Sequence, residues 1–422
     1  MCISIKGEYL HMAFVNDHPA TWNSDLLGFN NYITPLVELY NSNLIESPFT
    51  IGVFGEWGQG KSSFLEMLHN QLAEDKFFRV NFNPWYYRDE ENILIPLLQT
   101  IRDQLLESNA EKFKSSTAKI ANVLTRLGAD ILLKSITANN VSLKDIEEHE
   151  TIYAKQKGFY NVSKKKKVRT DIQEVIEDIK EKGLKTVIFI DDLDRCTPEN
   201  ILDVLEVIKL FLDLEYVFVV LAVDKSLINK GVQLKYAEFD FDDDKQQSIG
   251  AEYLEKIIQL PITIVPLQQN KILDFIDKID SNKQLSLPEI IEPDWLEPNP
   301  RKIKRIINIL WYTKRLTQIN KLDLKWELLV RMAILQVQAE SLYDKMARRL
   351  DLFETFEAIA DKPDLISSEK AFSSKFSGRK VEMFEFCCAN FTRYKFLKPM
   401  FKGRPFKAEA ENIQHYFSLI SG

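Results

Sequence analysis

Apolar positions along the chain change rhythm from place to place, and the changes predict strands alternating with helices up to about residue 267. Over 26–43 (LLGFNNYITPLVELYNSN) they recur with helical spacing, and Thr34 and Pro35 are placed to act as cap and first-turn proline. Phe49 to Phe54 is a short apolar run that reads as a strand. A glycine-rich loop follows, then a helix carrying Phe64, Leu65, Leu68 and Leu72 on one face. FFRVNF (77–82) is a second strand, running into Asn83, Pro84 and the aromatic turn Trp85, Tyr86, Tyr87, with a helix from about Glu90 to Leu106. Residues 107–167 are polar, helical in composition and without strand pattern, which marks an insertion ending in Lys164, Lys165, Lys166 and Lys167.

The alternation then resumes. It comprises a helix over about 170–182, a strand KTVIFI (185–190), a helix opened by Thr197 and Pro198, a strand YVFVVLAV (216–223), a helix YLEKII, and a fifth strand PITIV. Such alternation indicates a mainly parallel five-stranded α/β sheet. Beyond about 267 only helical segments remain, among them Pro300 to Tyr312 and Leu324 to Leu342.

Composition agrees with a helix-rich chain. Gly 14 and Pro 15 among 422 residues fall well short of the usual total of roughly 12% for the two. The glycines are also unevenly spread, with Gly52, Gly55, Gly58 and Gly60 crowded together. The net charge of −7, with 45% hydrophobic and 28% charged residues, excludes disordered and membrane-bundle classes. The best candidate for a membrane span, 119–141, carries Arg126, Asp130 and Lys134. Three such charges cost on the order of 8 to 10 kcal/mol, more than its Leu and Ile residues offset, so no span is expected. Four cysteines without CxxC spacing, and a start (MCISIKGEYLHMAFV) lacking the parts of a signal peptide, point to a reducing, cytoplasmic compartment.

Chemistry concentrates at two places. Gly55-Glu56-Trp57-Gly58-Gln59-Gly60-Lys61-Ser62 satisfies GxxxxGK[ST] between a predicted strand and a predicted helix, the context a P-loop requires. In that motif backbone N–H groups and the helix N-terminus face phosphates, Lys61 meets the β and γ oxygens, and Ser62 supplies a hydroxyl to Mg2+. Ser63 is placed to contact the α-phosphate. A P-loop calls for an acidic partner at the end of another apolar strand, and VIFIDDLDR (187–195) supplies one. Asp191 is the expected second Mg2+ ligand. Asp192 and Asp194 both stand where a carboxylate could polarise the attacking water, and spacing does not choose between them. The interval from Lys61 to Asp191 exceeds what one extra strand and its helices need, and the insertion accounts for the excess.

Taken together, these residues resemble the KAP family of P-loop NTPases, additional-strand ATPases related to AAA+ and STAND proteins. DLLGF (25–29), GVFGEWGQGKSS (52–63), NFNPWYY (81–87), VIFIDDLDRC (187–196), VVLAVDKSLI (219–228), YLEKIIQLP (253–261) and NPRKIKRIIN (299–308) fall in the family's order, over about residues 20–315. The resemblance implies an ATP- and Mg2+-dependent hydrolase with DLLGF near the adenine, Asp224 in a sensor-like position, and Arg301 or Arg305 reaching the γ-phosphate from a helical lid. It implies an N-terminal extension (1–24), a P-loop core (25–267), a lid (268–318) and a C-terminal helical domain (319–422). Bacterial family members often occur in mobile or phage-defence contexts, which implies a defence role, and a protein partner is the expected reader of the nucleotide state. In a homo-oligomer Arg195 could act on a neighbouring subunit, or it could pair with Asp192 or Asp194. The alternatives are a module that holds ATP without hydrolysing it, and a nucleic-acid-stimulated motor.

Three further patterns carry less. Asn320-Lys321-Leu322-Asp323 spells a guanine-reading NKxD but follows a basic helical stretch where an apolar strand is required. Residues 239–244 (FDFDDD) lack the glycine and distal glutamate of a calcium loop. Between Arg393 and Lys407, six cations interleave with Tyr394, Phe396, Phe401 and Phe406, which either grip nucleic acid by phosphate contact and stacking or form a helical core with snorkelling lysines.

Overall fold

The computed structural model describes residues 14–42, 44–88, 90, 92–138, 167–211, 214–235, 254–280, 285–320, 325–376, 381–403, 406 and 410–420. The acidic run 239–244, Lys164 to Lys166, Lys321 to Asp323, Arg404 and Lys407 lie outside them. Two compact units are present, one formed by Pro19–Ile264 and the other by Met1–His18 with Val265–Gly422.

In the first unit the elements run α1 (Asn30–Asn41), β1 (Phe49–Phe54), α2 (Lys61–Gln71), β2 (Phe77–Phe82), α3 (Leu94–Asn109) and α4 (Lys114–Ala138). They continue with α5 (167–181), β3 (Lys185–Ile190), α6 (Pro198–Phe211), β4 (Val217–Val223), α7 (Lys225–Lys235) and β5 (Leu260–Thr263). All strand pairs are parallel, in the order β2-β3-β4-β1-β5. The strand that feeds the glycine loop and the strand that ends in acids are therefore separated by β4, the additional strand. Each strand follows its burial. Every residue of β4 is buried, as its unbroken apolar run requires of a central parallel strand, whereas the edge strand β5 alternates half-buried with exposed.

Two apolar layers flank the sheet. Ile51, Val53, Val187, Phe189, Phe218 and Val220 pack under α1 and α2 through Ile33, Leu36, Phe64 and Leu68. On the opposite face Val80, Ile188, Ile190, Val219 and Leu221 pack under α3 to α6 through Leu97, Ile101, Ile120, Ile176 and Leu205. The helix α4 thus belongs to the layer over the sheet. Among the described residues no helix is long and apolar enough to cross a membrane.

The start of the first helix corrects the expected cap. Asp25, well upstream of Thr34, takes three backbone donors, Leu27 N at 3.0 Å and Gly28 N at 2.9 Å on Oδ1, and Asn30 N at 2.9 Å on Oδ2. Pro35 consequently lies inside α1. Of the three donors only Asn30 N is the helix's own, so Asp25 fixes the turn that leads into α1, whose cap position, Phe29, has no side-chain cap hydrogen bond. Thr34 Oγ1 instead donates to the Asn30 carbonyl at 2.9 Å.

The second unit is helical among its described residues. Its helices are α8 (Ile272–Ile279), α9 (Pro300–Ile319), α10 (Trp326–Gln338), α11 (Glu340–Arg348), α12 (Asp351–Asp361), α13 (Glu369–Lys375), α14 (Val381–Arg393), α15 (Leu397–Phe401) and α16 (Ala410–Ile420). The predicted single helix over 324–342 is two, broken at Ala339 (φ −143°, ψ 54°). Beside the break, the buried Gln338 side chain accepts from Glu297 N at 2.7 Å and donates to the Trp295 carbonyl at 2.9 Å. Phe396, Phe401 and Phe406 are buried, with Phe401 and Phe406 packed at 4.5 Å between ring centroids, while Arg393, Lys395, Lys398 and Lys402 are exposed. Three of the four rings that would have to stack on bases are core, and Tyr394 is half-buried.

Gly52 is a tight point of the sheet. A Cβ built there would lie 2.6 Å from Ile258 Cδ1 and 3.0 Å from its Cγ2. Ile258 packs through the space a side chain would occupy just before β5 joins β1. Gly52→Val is expected to lower stability by about 1–3 kcal/mol through overpacking. Ile258→Ala in the same chain should recover part of that loss. Denaturant midpoints of the two variants check this, and an unshifted Gly52→Val midpoint would remove the steric account.

Candidate functional site

The carboxyl ends of β1, β3 and β4 and the loops beyond them build the site. After Phe54 the chain leaves β1, and Gly55 N donates to the Val223 carbonyl at the end of β4 at 3.4 Å. Gln59, itself buried, accepts from Glu56 N at 3.0 Å through Oε1 and draws the loop inward. Gly58 and Gly60 take positive φ of 88° and 101°, the left-handed region that glycine enters without strain. A side chain is doubly barred at Gly60, since its Cβ would stand 2.9 Å from the Phe29 ring and 3.2 Å from Leu27. The DLLGF segment is thereby wedged against the loop, with Phe29 also set edge-on to Phe64 at 5.8 Å. Helix α2 begins at the next residue, Lys61.

Lys61 is buried, and its Nζ donates to the carbonyls of Gly55 at 2.9 Å and Glu56 at 3.2 Å. It also forms an ion pair at 3.1 Å with Asp194 Oδ2, and both side chains are less than a tenth exposed. The three acids after β3 have separate partners. Asp191 hydrogen-bonds with the Ser62 hydroxyl and accepts from Asp192 N at 2.8 Å through Oδ1. Burial raises its carboxyl above the ordinary value, and the nearby Asp192 and Asp194 charges add to the rise against the two hydrogen bonds. Asp192 is left-handed (φ 58°), with Oδ2 accepting from Asn83 Nδ2 at 2.8 Å and Oδ1 paired with Arg195 Nε at 2.9 Å. The Arg195 guanidinium stands 5.3 Å from the Trp85 ring. Cys196, buried beside these acids, has its thiol pushed up to about 11, first by burial and then by Asp194 and Asp192. That makes it an inert packing group.

The remaining predicted residues are placed as follows. Ser63 Oγ accepts from Ala20 N at 2.9 Å, which leaves its own hydrogen to donate elsewhere. Trp57, on the outer side of the loop, is about half exposed. Asp224, directly after β4, uses Oδ1 to accept from Ser226 N at 2.9 Å and so caps α7. Arg301 lies in the second unit, in the first turn of α9, with Nε 3.5 Å from Asp17 Oδ2. The site brought together within the first unit thus comprises residues 55–63, Asn83, Asp191, Asp192, Asp194 and Arg195.

The nucleoside triphosphate and Mg2+ expected from the sequence suit this arrangement. The loop has glycines where the backbone must turn its N–H groups inward, a buried ammonium at the helix start, and a hydroxyl touching a buried carboxyl as a hard oxygen pair for Mg2+. Two features escaped reading from the sequence alone. One is Asn83, whose motif was visible but whose facing residue depends on the register that sets Phe82 against Ile190. The other is the assignment of Asp194 to Lys61, since nothing in the spacing of LDR tells which acid turns back toward the loop.

Among relatives, an uncharacterized protein of Methanocaldococcus jannaschii is 28% identical over 183 residues, covering 34% of this chain and 89% of that protein. The phage T7 exclusion protein of Escherichia coli is 21% identical over 274 residues, covering 59% of this chain but only 34% of that protein. Among solved structures, the Aeropyrum pernix Orc1 protein in complex with DNA aligns with a TM-score of 0.36 at 10% identity, covering 88% of this chain and 84% of that one. Residues 29–317, more than half of the chain, match the KAP family P-loop domain, and the chain belongs to that family of nucleotide-binding P-loop NTPases.

Proposed function

We propose that the protein is a Mg2+-dependent ATPase in which Asp192 polarises the water that attacks the γ-phosphate. One observation carries the choice: the three neighbouring acids are already divided, Asp191 with Ser62, Asp194 with Lys61, and Asp192 with neither. Lys61 would exchange its hold on the Gly55 and Glu56 carbonyls for phosphate oxygens, with Asp194 as the counter-ion that keeps the ammonium oriented. Backbone N–H groups of residues 58–62 would receive the phosphates and Ser63 would donate to the α-phosphate. Ser62 and Asp191 would hold Mg2+, which when bound neutralises phosphate charge. Arg301 would serve as a γ-phosphate sensor from the second unit.

The reading extends to a protein partner that senses the nucleotide state, and to a role in excluding phage. The name of the Escherichia coli relative supports the latter, although this chain spans about a third of that protein's length. A nucleic-acid-stimulated motor has less support, because Phe396, Phe401 and Phe406 are core and only Tyr394 is half-buried.

Purified protein should release phosphate from ATP only with Mg2+. Lys61→Ala should lose both binding and release, and Asp192→Asn should bind ATP yet turn over on the order of 100-fold or more slowly. Equal phosphate release by wild type and Asp192→Asn removes the assignment. In cells, loss of protection against phage on Lys61→Ala substitution would support the defence role, and unchanged plating efficiency would end it.

Asp191 allows a test of opposite sign in stability and function. Its folded-state pKa is raised, so its ionised form disfavours folding once the pH exceeds the unfolded value near about 3.9. Asp191→Asn should therefore melt higher than wild type at neutral pH without Mg2+ or nucleotide. The advantage should vanish below about pH 3.9, and Mg2+-dependent turnover should be lost. A lower melting temperature at neutral pH would contradict the burial argument.

A further inference from the structure

Asp192 is held from outside its own strand. Its left-handed backbone (φ 58°, ψ 23°) is one that aspartate enters more readily than most residues but still at some cost. Asn83, the first residue beyond β2, divides its side-chain amide between two tasks. Its Oδ1 accepts from Trp85 N at 3.1 Å and starts the short helix Pro84–Tyr87, while Nδ2 donates to Asp192 Oδ2 at 2.8 Å. The other carboxylate oxygen takes Arg195 Nε at 2.9 Å, and the Trp85 ring lies 5.3 Å from that guanidinium. Both arms that fix Asp192 therefore rest on the same aromatic turn.

A carboxylate offers about four lone-pair sites. One bond to each oxygen leaves a site on each for water, so the two arms fix orientation without using up the acceptor. A neutral amide suits the half-buried arm, since it donates a hydrogen bond without competing as a second acid. We propose that Asn83 is a positioning residue for Asp192, and that the turn 83–87 sets the angle at which that carboxylate meets the attacking water. The proposal rests on the reading of Asp192 as the water-polarising group.

The split duties of Asn83 supply the test. Asn83→Asp keeps an oxygen for Trp85 N, loses the donor and sets a second carboxylate against Asp192, whereas Asn83→Ala loses both hydrogen bonds without adding charge. In the full chain, both variants should lower kcat on the order of 100-fold, the scale of a misplaced catalytic group, with KM for ATP and the ATP dissociation constant within about twofold of wild type. Asn83→Ala, which adds no charge, separates lost positioning from charge repulsion, and its kcat should fall as far as that of Asn83→Asp. Placed in an Asp192→Asn chain, Asn83→Asp should cost less than about a further twofold, because the two act as one unit. Wild-type kcat in Asn83→Asp reduces Asn83 to a cap and overturns the proposal. So does a loss confined to KM, or a full additional loss in the Asp192→Asn chain. If Asp192→Asn itself turns over at the wild-type rate, the assignment of the base falls and this proposal with it. A slow Asp192→Asn beside a fast Asn83→Asp overturns the positioning role alone.

Discussion

A buried ammonium must find a buried acceptor, and the pairing of Lys61 with Asp194 is the contact on which the nucleotide-binding unit depends. Two charges withdrawn from water are costly unless geometry and additional hydrogen bonds answer them, and the Gly55 and Glu56 carbonyls provide those bonds. The pair joins the loop after β1 to the turn after β3. Since β4 separates those strands, the two loops must reach across its end, and the Gly55 N–H bonded to Val223 fixes the loop over that point. Sheet order and ion pair are thus one constraint seen at two scales: the strand order brings Lys61 and Asp194 within reach, and their burial makes any other order expensive.

The glycine crowding follows from the same constraint. A loop that folds inward over a strand end must pass through positive φ and leave room for what covers it. Gly58 and Gly60 supply the first, and Gly60 also makes room for Phe29. Phe29 in turn follows a turn fixed by Asp25, which collects the N–H groups of Leu27, Gly28 and Asn30. The stretch from Asp25 to Phe29 acts as a wedge: Asp25 fixes the turn, Gly28 takes positive φ within it, and Leu27 and Phe29 cover Gly60. The low glycine content elsewhere fits the long helices on both faces of the sheet and throughout the second unit.

Local chemistry was legible in the sequence wherever it did not depend on register. The strands Phe49–Phe54 and Lys185–Ile190 lie where the apolar runs place them, because a buried parallel strand is apolar on both faces, while the edge strand Phe77–Phe82 shows itself by alternation, with Arg79 and Asn81 on its less buried face. Helix ends were less legible. Pro35 looks like a first-turn residue from its sequence, but the turn fixed by Asp25, ten residues earlier in a segment of mixed polarity, starts the helix at Asn30. Ala339 gives no hint of the break after Gln338, since the cause is the Gln338 amide satisfying backbone groups of residues 295 and 297. In the segment 393–406 the alternation of cations and rings was ambiguous between core and binding surface. Burial of Phe396, Phe401 and Phe406 decides for the core, with the lysine heads left in water.

The acids after β3 illustrate why motifs underdetermine mechanism. Asp191, Asp192 and Asp194 lie within four residues of each other, and in solution their carboxyls would be interchangeable. The fold separates them by backbone geometry: Asp191 ends the strand and turns to Ser62, the left-handed Asp192 sends its carboxylate to Asn83, and the short helix at 193–195 carries Asp194 back to Lys61. The partners come from two elements, Ser62 and Lys61 from the first turn of α2 and Asn83 from the turn after β2. Three like charges in so small a volume repel, and dispersing them onto a hydroxyl, an amide with a guanidinium, and an ammonium relieves that repulsion more effectively than burying any one alone. The same dispersal gives each acid a different chemistry, so the electrostatic requirement for folding and the division of labour at the site are met by a single arrangement.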